Sequence, residues 1–320
     1  MKAVWVSAFA PFDTIPVMEV ASPQPAAGEV VIDVHAAEAN YPDILVIEGK
    51  YQIKPPLPFS PGKCAAGIVS AVGTGVTSLK IGDRVAAQTE YGAFAEQLKV
   101  RAETCFAMPD TMPFDKAAAL GLVYQTAWIA LEDRAHFKRG EIVLVLGGSG
   151  GIGVASIQLA KALGASIVIA GIIGEGNEAV ARQAGADHVV DLGEDNLRDR
   201  LREHIQTMTN GHGVDVVIDN VGSRVFTPSF KSMAVGGRYA FVGQLFREEI
   251  SINPARIFFK RARFIGVGSC RRDQLEDAVA LVAAGKVRPR VAKVLPLEQA
   301  AEAHAMVEGG DVVGRVVLKP

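Results

Sequence analysis

Hydrophobic and polar residues follow three successive rhythms along the chain. In the first third, short runs rich in β-branched residues, such as EVVIDVHAAEAN and GIVSAVGTGV, are separated by glycine-containing turns. Short and regularly spaced strands of this kind predict a β-barrel or sandwich-like domain. The segment KPPLPFSPG, residues 54–62, is predicted to be a loop, because proline lacks the backbone N–H that helices and central strands require.

A second rhythm begins at Phe114, where FDKAAALGLVYQTAWIALEDRA predicts one helix. Helical segments then alternate with apolar runs of strand length, which are EIVLVLG, SIVIAG, DHVVDL, VDVVIDNVG, GRYAFVG and RFIGVGS. Near-continuous apolar strands that alternate with helices are typical of a parallel sheet covered on both faces. The tail changes rhythm again, with two helical patterns and two extended segments, VAKVLPL and GRVVLKP.

Composition argues against several kinds of partner and several classes of protein. The chain has 320 residues, of which 49% are hydrophobic, and a formal net charge of -2, so neither nucleic acid nor an anionic membrane is indicated as a partner. No apolar stretch approaches the ~18 residues of a membrane span, and the N-terminus does not resemble a signal peptide. The three cysteines lie far apart, which disfavours a disulfide framework and predicts a cytoplasmic protein.

The segment VLVLGGSGGIGVASIQLA is the most informative motif in the chain. A buried strand enters its glycine-rich turn and a helix leaves it, and further strand–helix units follow. Such a turn lets backbone N–H groups approach a pyrophosphate at the N-terminus of the helix. In this context the motif predicts dinucleotide binding rather than a tight turn without a ligand. The cofactor-binding residues predicted in this loop are Gly147, Ser149, Gly150, Gly151 and Ile152.

The end of the second strand bears on which dinucleotide is bound. SIVIAG ends at Gly171, also a predicted cofactor-binding residue, where an acid would repel the 2′-phosphate of NADP(H). The missing acid favours NADP(H). NAD(H) stays open, because no Lys or Arg follows immediately and Glu175 could bind an NAD ribose. We favour an exposed loop carboxylate as the interpretation of Glu175.

Taken in order, a set of segments resembles one family. They are NYPDILVIEGKY, PPLPFSPG, AAGIVSAVGTGVTSLKIGDRV, YQTAWIAL, GGSGGIG, AGADHVVD, GVDVVIDNVG, GGRYAFVG and GRVVLKP. The sequence resembles the zinc-free, ζ-crystallin-like quinone oxidoreductases of the medium-chain dehydrogenase/reductase superfamily. The resemblance implies an α/β fold in which a GroES-like β-barrel catalytic domain, residues 1–121 and 269–320, contains an inserted Rossmann doubly wound parallel sheet, residues 122–268. It also implies an active site in the cleft between the domains and a homodimer joined along the last Rossmann strand, Arg263 to Gly268.

The same resemblance indicates which three residues stand where zinc-dependent relatives bind their metal. Zinc-dependent relatives carry a cysteine about where Asn40 stands and a His-Glu pair where Lys63 and Cys64 stand. One thiol beside a lysine does not supply the three protein ligands of a catalytic zinc site, so no metal is expected. Cys64 is then interpreted as a small packed thiol rather than a reactive one. Without a Lewis acid, hydride transfer needs an acceptor that is already electrophilic, such as a quinone or an enone.

Residue roles follow from the resemblance. The implied catalytic residues are Tyr51 and Asn40, which could hydrogen-bond the acceptor oxygen. The alternatives are a half-buried loop tyrosine for Tyr51 and, equally favoured, an amide that braces the following turn for Asn40. The implied substrate-contacting residues are Tyr41, Tyr51 and Tyr124. The implied cofactor-binding residues outside the glycine loop are Thr126, Asn220, Val221, Gly222, Gly243, Gln244 and Leu245.

The favoured function is therefore an NADPH-dependent, zinc-free reductase that transfers hydride to a small-molecule quinone or other conjugated carbonyl. A reductase of enone or enoyl-thioester C=C bonds is the alternative of the same class. A non-catalytic NADP-binding protein is the alternative of a different class.

Overall fold

The computed structural model describes residues 1–193, 197–244, 248–268, 275–310 and 312–320, the side chains of 175, 198, 199 and 275 excepted. The chain forms two compact units. The first, called unit 1 below, consists of Met1–Leu122 and Arg271–Pro320, and the second, unit 2, consists of Val123–Cys270. Unit 1 therefore combines both ends of the chain, whereas unit 2 is one continuous segment.

The strands are β1 (Lys2–Val4), β2 (Val17–Glu19), β3 (Glu29–Ala39), β4 (Cys64–Val72), β5 (Arg84–Gln88), β6 (Gln97–Arg101), β7 (Cys105–Ala107), β8 (Ile142–Leu146), β9 (Ile167–Ile172), β10 (His188–Asp191), β11 (Val214–Asp219), β12 (Met233–Phe241), β13 (Arg263–Gly266), β14 (Val291–Pro296) and β15 (Arg315–Lys319). The helices are α1 (Tyr41–Ile47), α2 (Phe114–Ala118), α3 (Gly121–Trp128), α4 (Gly151–Leu163), α5 (Glu178–Ala184), α6 (Leu197–Met208), α7 (Ser223–Ser232), α8 (Pro254–Lys260), α9 (Leu275–Ala283) and α10 (Ala300–Gly309).

Unit 1 is built around a mixed sheet with the order β14-β15-β3-β4-β5-β7. The long strand β3 organises this sheet, because its first half also pairs with β6 and its second half pairs with β15. The inward side chains of these strands, together with Phe94 from the segment before β6, form an apolar core that includes Ile32, Val69 and Leu318. The segments EVVIDVHAAEAN and GRVVLKP thus become neighbouring strands although they lie at opposite ends of the chain.

Unit 2 contains a parallel sheet with the order β10-β9-β8-β11-β12-β13, as the apolar strand runs predicted. The strand order reverses between β8 and β11, and doubly wound sheets bind ligands at the carboxyl ends of the strands at such a switch point. On one face of the sheet, α6 and α7 pack against each other and bury an aromatic cluster that includes Phe226, Phe230 and Tyr239. The reversal therefore marks where the site of unit 2 is built.

The helix predicted from Phe114 onwards is interrupted in the structure. It divides into α2, α3 and a π-helical segment, Ile129–Arg134. The break lies at residues 119–120, directly before Gly121, which packs so closely on Cys64 of β4 that an added Cβ would overlap the thiol. Tertiary packing therefore overrides a locally continuous helical pattern. None of the helices in the described ranges is long and apolar enough to cross a membrane.

Candidate functional site

The glycine loop of unit 2 connects β8 to α4 at the switch point. Gly147 adopts a left-handed conformation with φ +74°, which glycine tolerates and other residues rarely do. The Gly148 N–H donates to the carbonyl of Gly171 at 2.9 Å, and the Gly150 N–H donates to the carbonyl of Gly147 at 3.1 Å. The loop is thereby held against the end of β9, and the first turn of α4 begins at Gly151 without a side-chain cap.

The glycines of this loop differ in the space available around them. An added Cβ at Gly153 would overlap the carbonyl oxygen of Gly147, and one at Gly148 would lie 2.9 Å from the Cβ of Ala170. A Cβ at Gly150, by contrast, would meet nothing closer than the Gly147 oxygen at 3.5 Å. Gly153 and Gly148 are therefore required by packing. Gly150 faces open space at the start of a 13-residue helix, where uncapped N–H groups attract an anion.

The end of β11 lies directly beside this loop. The Asn220 side-chain amide donates to the carbonyl of Leu146 at 2.9 Å, which ties the end of β11 to the end of β8. The Oδ1 atom of Asn220 is buried and has no hydrogen-bond partner among the residues that the structure describes. A buried acceptor without a donor is costly, so this oxygen fits the hydroxyl or amide donors that a nicotinamide dinucleotide presents. The residues at the switch point therefore fit a dinucleotide.

Two residues that the sequence did not single out hold the end of β11 in place. Asp219 accepts hydrogen bonds from the N–H groups of Val221 at 2.8 Å and Gly222 at 2.9 Å through Oδ1. Its Oδ2 accepts from the hydroxyl of Tyr239 at 2.8 Å. Burial raises the pKa of Asp219, while these three donors act in the opposite direction. An acid that ends the apolar run VDVVID was the available sequence signal, because a buried carboxylate needs donors.

A cavity of about 480 Å³ opens where β11 and β12 end, within unit 2. Its lining residues are Gly222, Ser223, Phe241, Val242, Gly243, Gln244, Glu248 and Ile250. Three predicted cofactor-binding residues, Gly222, Gly243 and Gln244, are thus brought together at this cavity. Leu245, which was predicted with them, lies outside the described residues.

The end of β9 is where the adenosine ribose was expected. Gly171 is enclosed, because an added Cβ would lie 2.9 Å from Leu192, so its contribution is its carbonyl bond to the glycine loop. The Glu175 side chain lies outside the described part of the structure. Beyond the strand, the Asn177 side chain donates to the carbonyl of Ile173 at 2.7 Å. The nearest cation considered from the sequence, Arg182, pairs with Glu178 at 2.6 Å.

Two predicted site residues lie on α3 and are buried. The Tyr124 hydroxyl and the Gln158 side chain of α4 form a 3.1 Å hydrogen bond, so Tyr124 connects two helices. A substrate contact for Tyr124 stays a prediction, and it would have to coexist with this bond. Thr126 is 7% exposed on the same helix, and its predicted bond to the cofactor is likewise untested.

In unit 1, Asn40 is part of a buried polar network. Its side-chain NH₂ donates to the backbone carbonyl and to the carboxylate of Glu38, both at 3.2 Å, and its Oδ1 accepts from Arg315. Arg315 also forms an ion pair with Glu38, which is fully buried on β3. These contacts join the end of β3 to β15 through Asn40, whereas the bracing of the following turn, which the sequence left open, stays a prediction. Donation to a substrate would require them to rearrange. Glu38 and Arg315 were not identified from the sequence.

Asp43 completes this network from α1. Its carboxylate accepts from the backbone N–H of Asn40 at 2.8 Å, the bond by which the third residue of a helix holds its N-cap residue in a capping box. Burial raises the pKa of Asp43 to about 7, although the Asn40 N–H, Lys63 and Arg315 all act to lower it. The start of α1 is thus fixed by groups from the end of β3 and from β15.

Tyr51 lies half-buried beyond the end of α1, beside Lys63. The Lys63 ammonium stands over the Tyr51 ring at 4.9 Å from its centroid and pairs with the Glu90 carboxylate at 3.1 Å. Tyr41, at the first position of α1, is 51% exposed, so its side chain is available at the surface of unit 1. The catalytic role of Tyr51 stays a prediction. The structure adds that a cation lies over the face of its ring.

The donor set near Asn40 does not fit a zinc ion. Lys63 is a paired cation and Asn40 is bonded to Glu38 and Arg315, which leaves Cys64, 1% exposed, as one thiol. Across the described ranges, no group of three or more His, Cys, Asp or Glu side chains could hold a metal. Catalytic zinc sites use three protein ligands, which the side chains around Asn40 do not supply.

Comparison with known proteins agrees with this architecture. The family model for the alcohol dehydrogenase GroES-like domain matches residues 26–110, and the model for zinc-binding dehydrogenase matches residues 151–284. Quinone oxidoreductase from Sus scrofa is 35% identical over 308 residues, which cover 94% of this chain and 92% of that protein. The GroES-like domain and the Rossmann-type parallel sheet are therefore both present, as the sequence predicted.

Solved structures resemble the whole chain. An NAD-dependent alcohol dehydrogenase superposes with a TM-score of 0.91 at 30% identity and covers 100% of both chains. A mycobacterial protein in complex with NADPH superposes with a TM-score of 0.86 at 30% identity, again with 100% of both chains covered. Together with the identity to the pig protein, these matches confirm the resemblance seen in the sequence. The chain is an oxidoreductase that belongs to the quinone oxidoreductase group of the medium-chain dehydrogenase/reductase superfamily.

Proposed function

We propose that the protein is an NADPH-dependent reductase that transfers hydride to a quinone or another conjugated carbonyl compound. The observation that carries the proposal is the pairing of a complete dinucleotide loop with a donor set that does not fit zinc. A bound reduced nicotinamide supplies the hydride. An acceptor whose conjugation spreads the incoming negative charge can take that hydride without a Lewis acid. Relatives named quinone oxidoreductase support the same acceptor class.

Unit 2 supplies the cofactor-binding groups. The N–H groups at the start of α4 would bind the pyrophosphate, with Ser149 as an additional donor. Asn220 Oδ1 would accept a hydrogen bond from the dinucleotide, and the loop held by Asp219 would place Val221 and Gly222 beside it. These residues bind and orient the cofactor, which is the larger part of catalysis when no metal takes part.

Unit 1 supplies the acceptor-binding groups. The Tyr51 hydroxyl would donate a hydrogen bond to the acceptor oxygen on which negative charge develops, and Tyr41 would form a wall of the acceptor site. Donors aimed at developing charge lower the barrier because they need no reorganisation at the moment of reaction. Reduction of a quinone to the hydroquinone consumes one hydride and one proton: the hydride gives the hydroquinone monoanion, and a proton from solvent then neutralises the oxygen that carries the negative charge. Tyr51 holds that oxygen in place while the proton arrives.

The preference for NADPH over NADH rests on the end of β9. SIVIAG ends at Gly171 and Ile172 without the acid that would bind an NAD ribose and repel a 2′-phosphate. The structural neighbour in complex with NADPH supports the same choice. Because Arg182 is paired with Glu178, the phosphate would have to be bound by backbone or solvent-exposed groups.

Two measurements test the proposal. Both cofactors are titrated against the protein by fluorescence, and the preferred one is then oxidised with a panel of quinones, enones and enoyl thioesters under stopped-flow mixing. We expect tighter binding of NADPH and rapid oxidation by quinones. If product NMR shows only acceptors whose C=C bond has been reduced to a single bond, the protein is instead an enone or enoyl-thioester reductase. Binding without oxidation by any acceptor would establish a nucleotide-binding protein that does not turn over.

We also propose that two copies associate along β13, the edge strand of the parallel sheet. In the described part of the sheet, β13 pairs with β12 and its other edge is available for a second strand. Just before this strand, Phe258 and Phe259 of α8 are 63% and 74% exposed. Sedimentation should show a dimer that the double substitution Phe258→Ser and Phe259→Ser converts to monomer. A monomeric wild-type protein would overturn this proposal.

A further inference from the structure

Lys63 is a buried cation that the proposed mechanism does not yet use. Its side chain is 5% exposed, whereas its partner Glu90 is 44% exposed. The ammonium donates to the Glu90 carboxylate at 3.1 Å and to the Glu90 backbone carbonyl at 3.2 Å. On its other side it stands over the Tyr51 ring at 4.9 Å from the centroid. One charged group therefore joins the segment around Glu90 to the predicted catalytic tyrosine.

Burial of this ammonium is unfavourable by itself. An ammonium loses its hydration on burial, and a pair with a half-exposed carboxylate regains part of that energy. An uncharged methionine of similar length would fill the same space without the loss. The nearby Asp43 adds attraction, since Lys63 acts to lower the pKa of that carboxyl group. The charge is thus retained at a position where packing alone does not need it.

The charge has a definite relation to Tyr51. A cation within about 6 Å of an aromatic ring is attracted to the face of the ring, which restricts the orientation of the side chain. The same positive charge withdraws electron density from the phenol, so the hydroxyl becomes a stronger hydrogen-bond donor. Both effects act at the oxygen of a bound acceptor, where negative charge appears as hydride arrives.

We propose that Lys63 is a positioning residue that fixes the Tyr51 ring and strengthens its hydroxyl as a donor to the oxyanion of the reduced acceptor. Lys63 itself does not touch the acceptor and acts through Tyr51. The inference rests on the proposed function, because it requires an acceptor that is bound at Tyr51. It further implies that acceptors with charge on a ring oxygen, as in quinones, gain most from this pair.

A double-mutant cycle tests the coupling. Lys63→Met, Tyr51→Phe and the combined variant are compared with the wild type in kcat/KM for one quinone, with NADPH saturating. We expect Lys63→Met to lower kcat/KM about tenfold in the presence of Tyr51 and less than twofold in the Tyr51→Phe background. Equal losses in both backgrounds would overturn the inference. Lys54→Met, which removes an exposed lysine from the same loop, is the matched control and should have no effect.

Two further variants keep the test decisive if Lys63→Met folds poorly. Lys63→Arg retains a cation over the ring and should keep more than half of the wild-type kcat/KM. Glu90→Gln removes the anchoring charge from a partly exposed position and should give a smaller loss than Lys63→Met, again only when Tyr51 is present. A loss in Lys63→Arg as large as that in Lys63→Met would contradict the proposed role of the positive charge.

Binding of 4-nitrophenolate separates this inference from the proposed function. The probe carries its charge on a phenolic oxygen, and its absorbance reports binding without turnover. We expect Lys63→Met to weaken its binding about tenfold and the effect to vanish in the Tyr51→Phe background. If the wild type reduces no quinone or enone, the proposed function fails whatever this titration shows. If the wild type reduces quinones but neither cycle shows coupling, the role of Lys63 fails and the function stands.

Discussion

The hydroxyl of Tyr239 on β12 donates a 2.8 Å hydrogen bond to Asp219, the last residue of β11. The second carboxylate oxygen of Asp219 holds the N–H groups of Val221 and Gly222. Tyr239, which is fully buried, therefore holds the loop of Val221 and Gly222 in place through Asp219. Burial, followed by the Asp219 charge, raises the pKa of Tyr239 well above its ordinary value, so the phenol stays protonated and remains a donor.

Tyr239→Phe should weaken both stability and cofactor binding. The substitution leaves Asp219 Oδ2 buried without its donor, which costs about 1–3 kcal/mol of the free energy of unfolding. We expect a several-fold increase in the Kd for NADPH, because the loop of Val221 and Gly222 loses its support. Urea unfolding and a fluorescence titration measure the two effects. Tyr91→Phe, at a partly exposed tyrosine of unit 1, is the control and should change neither quantity.

Two glycines of the nucleotide loop should separate folding from binding. Gly153→Ala places a Cβ on the carbonyl oxygen of Gly147, so we expect poor folding of unit 2. Gly150→Ala meets no atom closer than 3.5 Å and has a backbone conformation, φ -74° and ψ 169°, that alanine adopts freely. This variant should fold normally and lose at least tenfold in NADPH affinity, because the Cβ occupies the space of the pyrophosphate.

Circular dichroism and a binding titration distinguish these outcomes. Gly266→Ala is the matched control, since its added Cβ meets nothing within 4 Å and its φ is not positive. A Gly150→Ala variant with wild-type affinity would show that the start of α4 does not approach a phosphate.

Arg315 should be more important for stability than a surface arginine. Its guanidinium is the charged partner of Glu38, which is fully buried, and it also holds the Asn40 side chain. Arg315→Met leaves the carboxylate unpaired, a change that typically costs about 3–5 kcal/mol. The double variant Arg315→Met and Glu38→Gln should recover part of that loss, because no buried charge then remains. A stability of Arg315→Met within 1 kcal/mol of wild type, on the scale of exposed pairs, would contradict the network.

Two buried groups of unit 1 should give opposite pH dependences. Burial between Phe12 and Phe94 lowers the pKa of His304 to about 4, so the unfolded state binds the proton more strongly between pH 6.5 and about 4. Stability from this group is therefore present above pH 6.5 and lost on acidification, by about 3 kcal/mol in all. Asp43, with a raised pKa of about 7, contributes stability at low pH that is lost as the pH rises to 7.

Urea unfolding between pH 4 and pH 7 separates these contributions. The variant His304→Leu lacks the titrating imidazole. Its unit 1 should therefore lose stability with rising pH more steeply than the wild type. In Asp43→Asn the stability of unit 1 should rise with pH. Parallel pH profiles for the wild type and both variants would be inconsistent with the raised and lowered pKa values.

The sequence predicted the fold well because the signals were local. Each apolar run from EIVLVLG to RFIGVGS became a strand of the parallel sheet, and the glycine loop fell at the switch point. The one predicted helix that divides, from Phe114 to Ala135, does so next to Gly121, which packs on Cys64, 57 residues earlier in the chain. Periodicity within the segment carries no trace of that contact.

Contacts between side chains that lie far apart in the sequence could not be predicted from such local patterns. Asn40 and Arg315 are 275 residues apart, so nothing near Asn40 indicates that its amide is already bonded. Tyr124 is similar, since its partner Gln158 lies on a different helix. The sequence shows Lys63 where zinc-dependent relatives carry a metal ligand, but its position over Tyr51 depends on how two loops of unit 1 pack together. The sequence identified which residue types matter, and the structure identified their neighbours.

The position of β15 has a consequence for the order in which the protein can fold during synthesis. Val316 and Leu318 pair with Ala39 and Ala37 of β3, so β3 completes its pairing only after β15, which lies far later in the chain, has been synthesised. Unit 2 is continuous in sequence and can form earlier, while β3 still exposes half of one edge. We expect nascent chains that end before β15 to contain a protease-resistant unit 2 and an unprotected N-terminal segment. Chaperones should accordingly bind mainly to β3 while β15 is still missing.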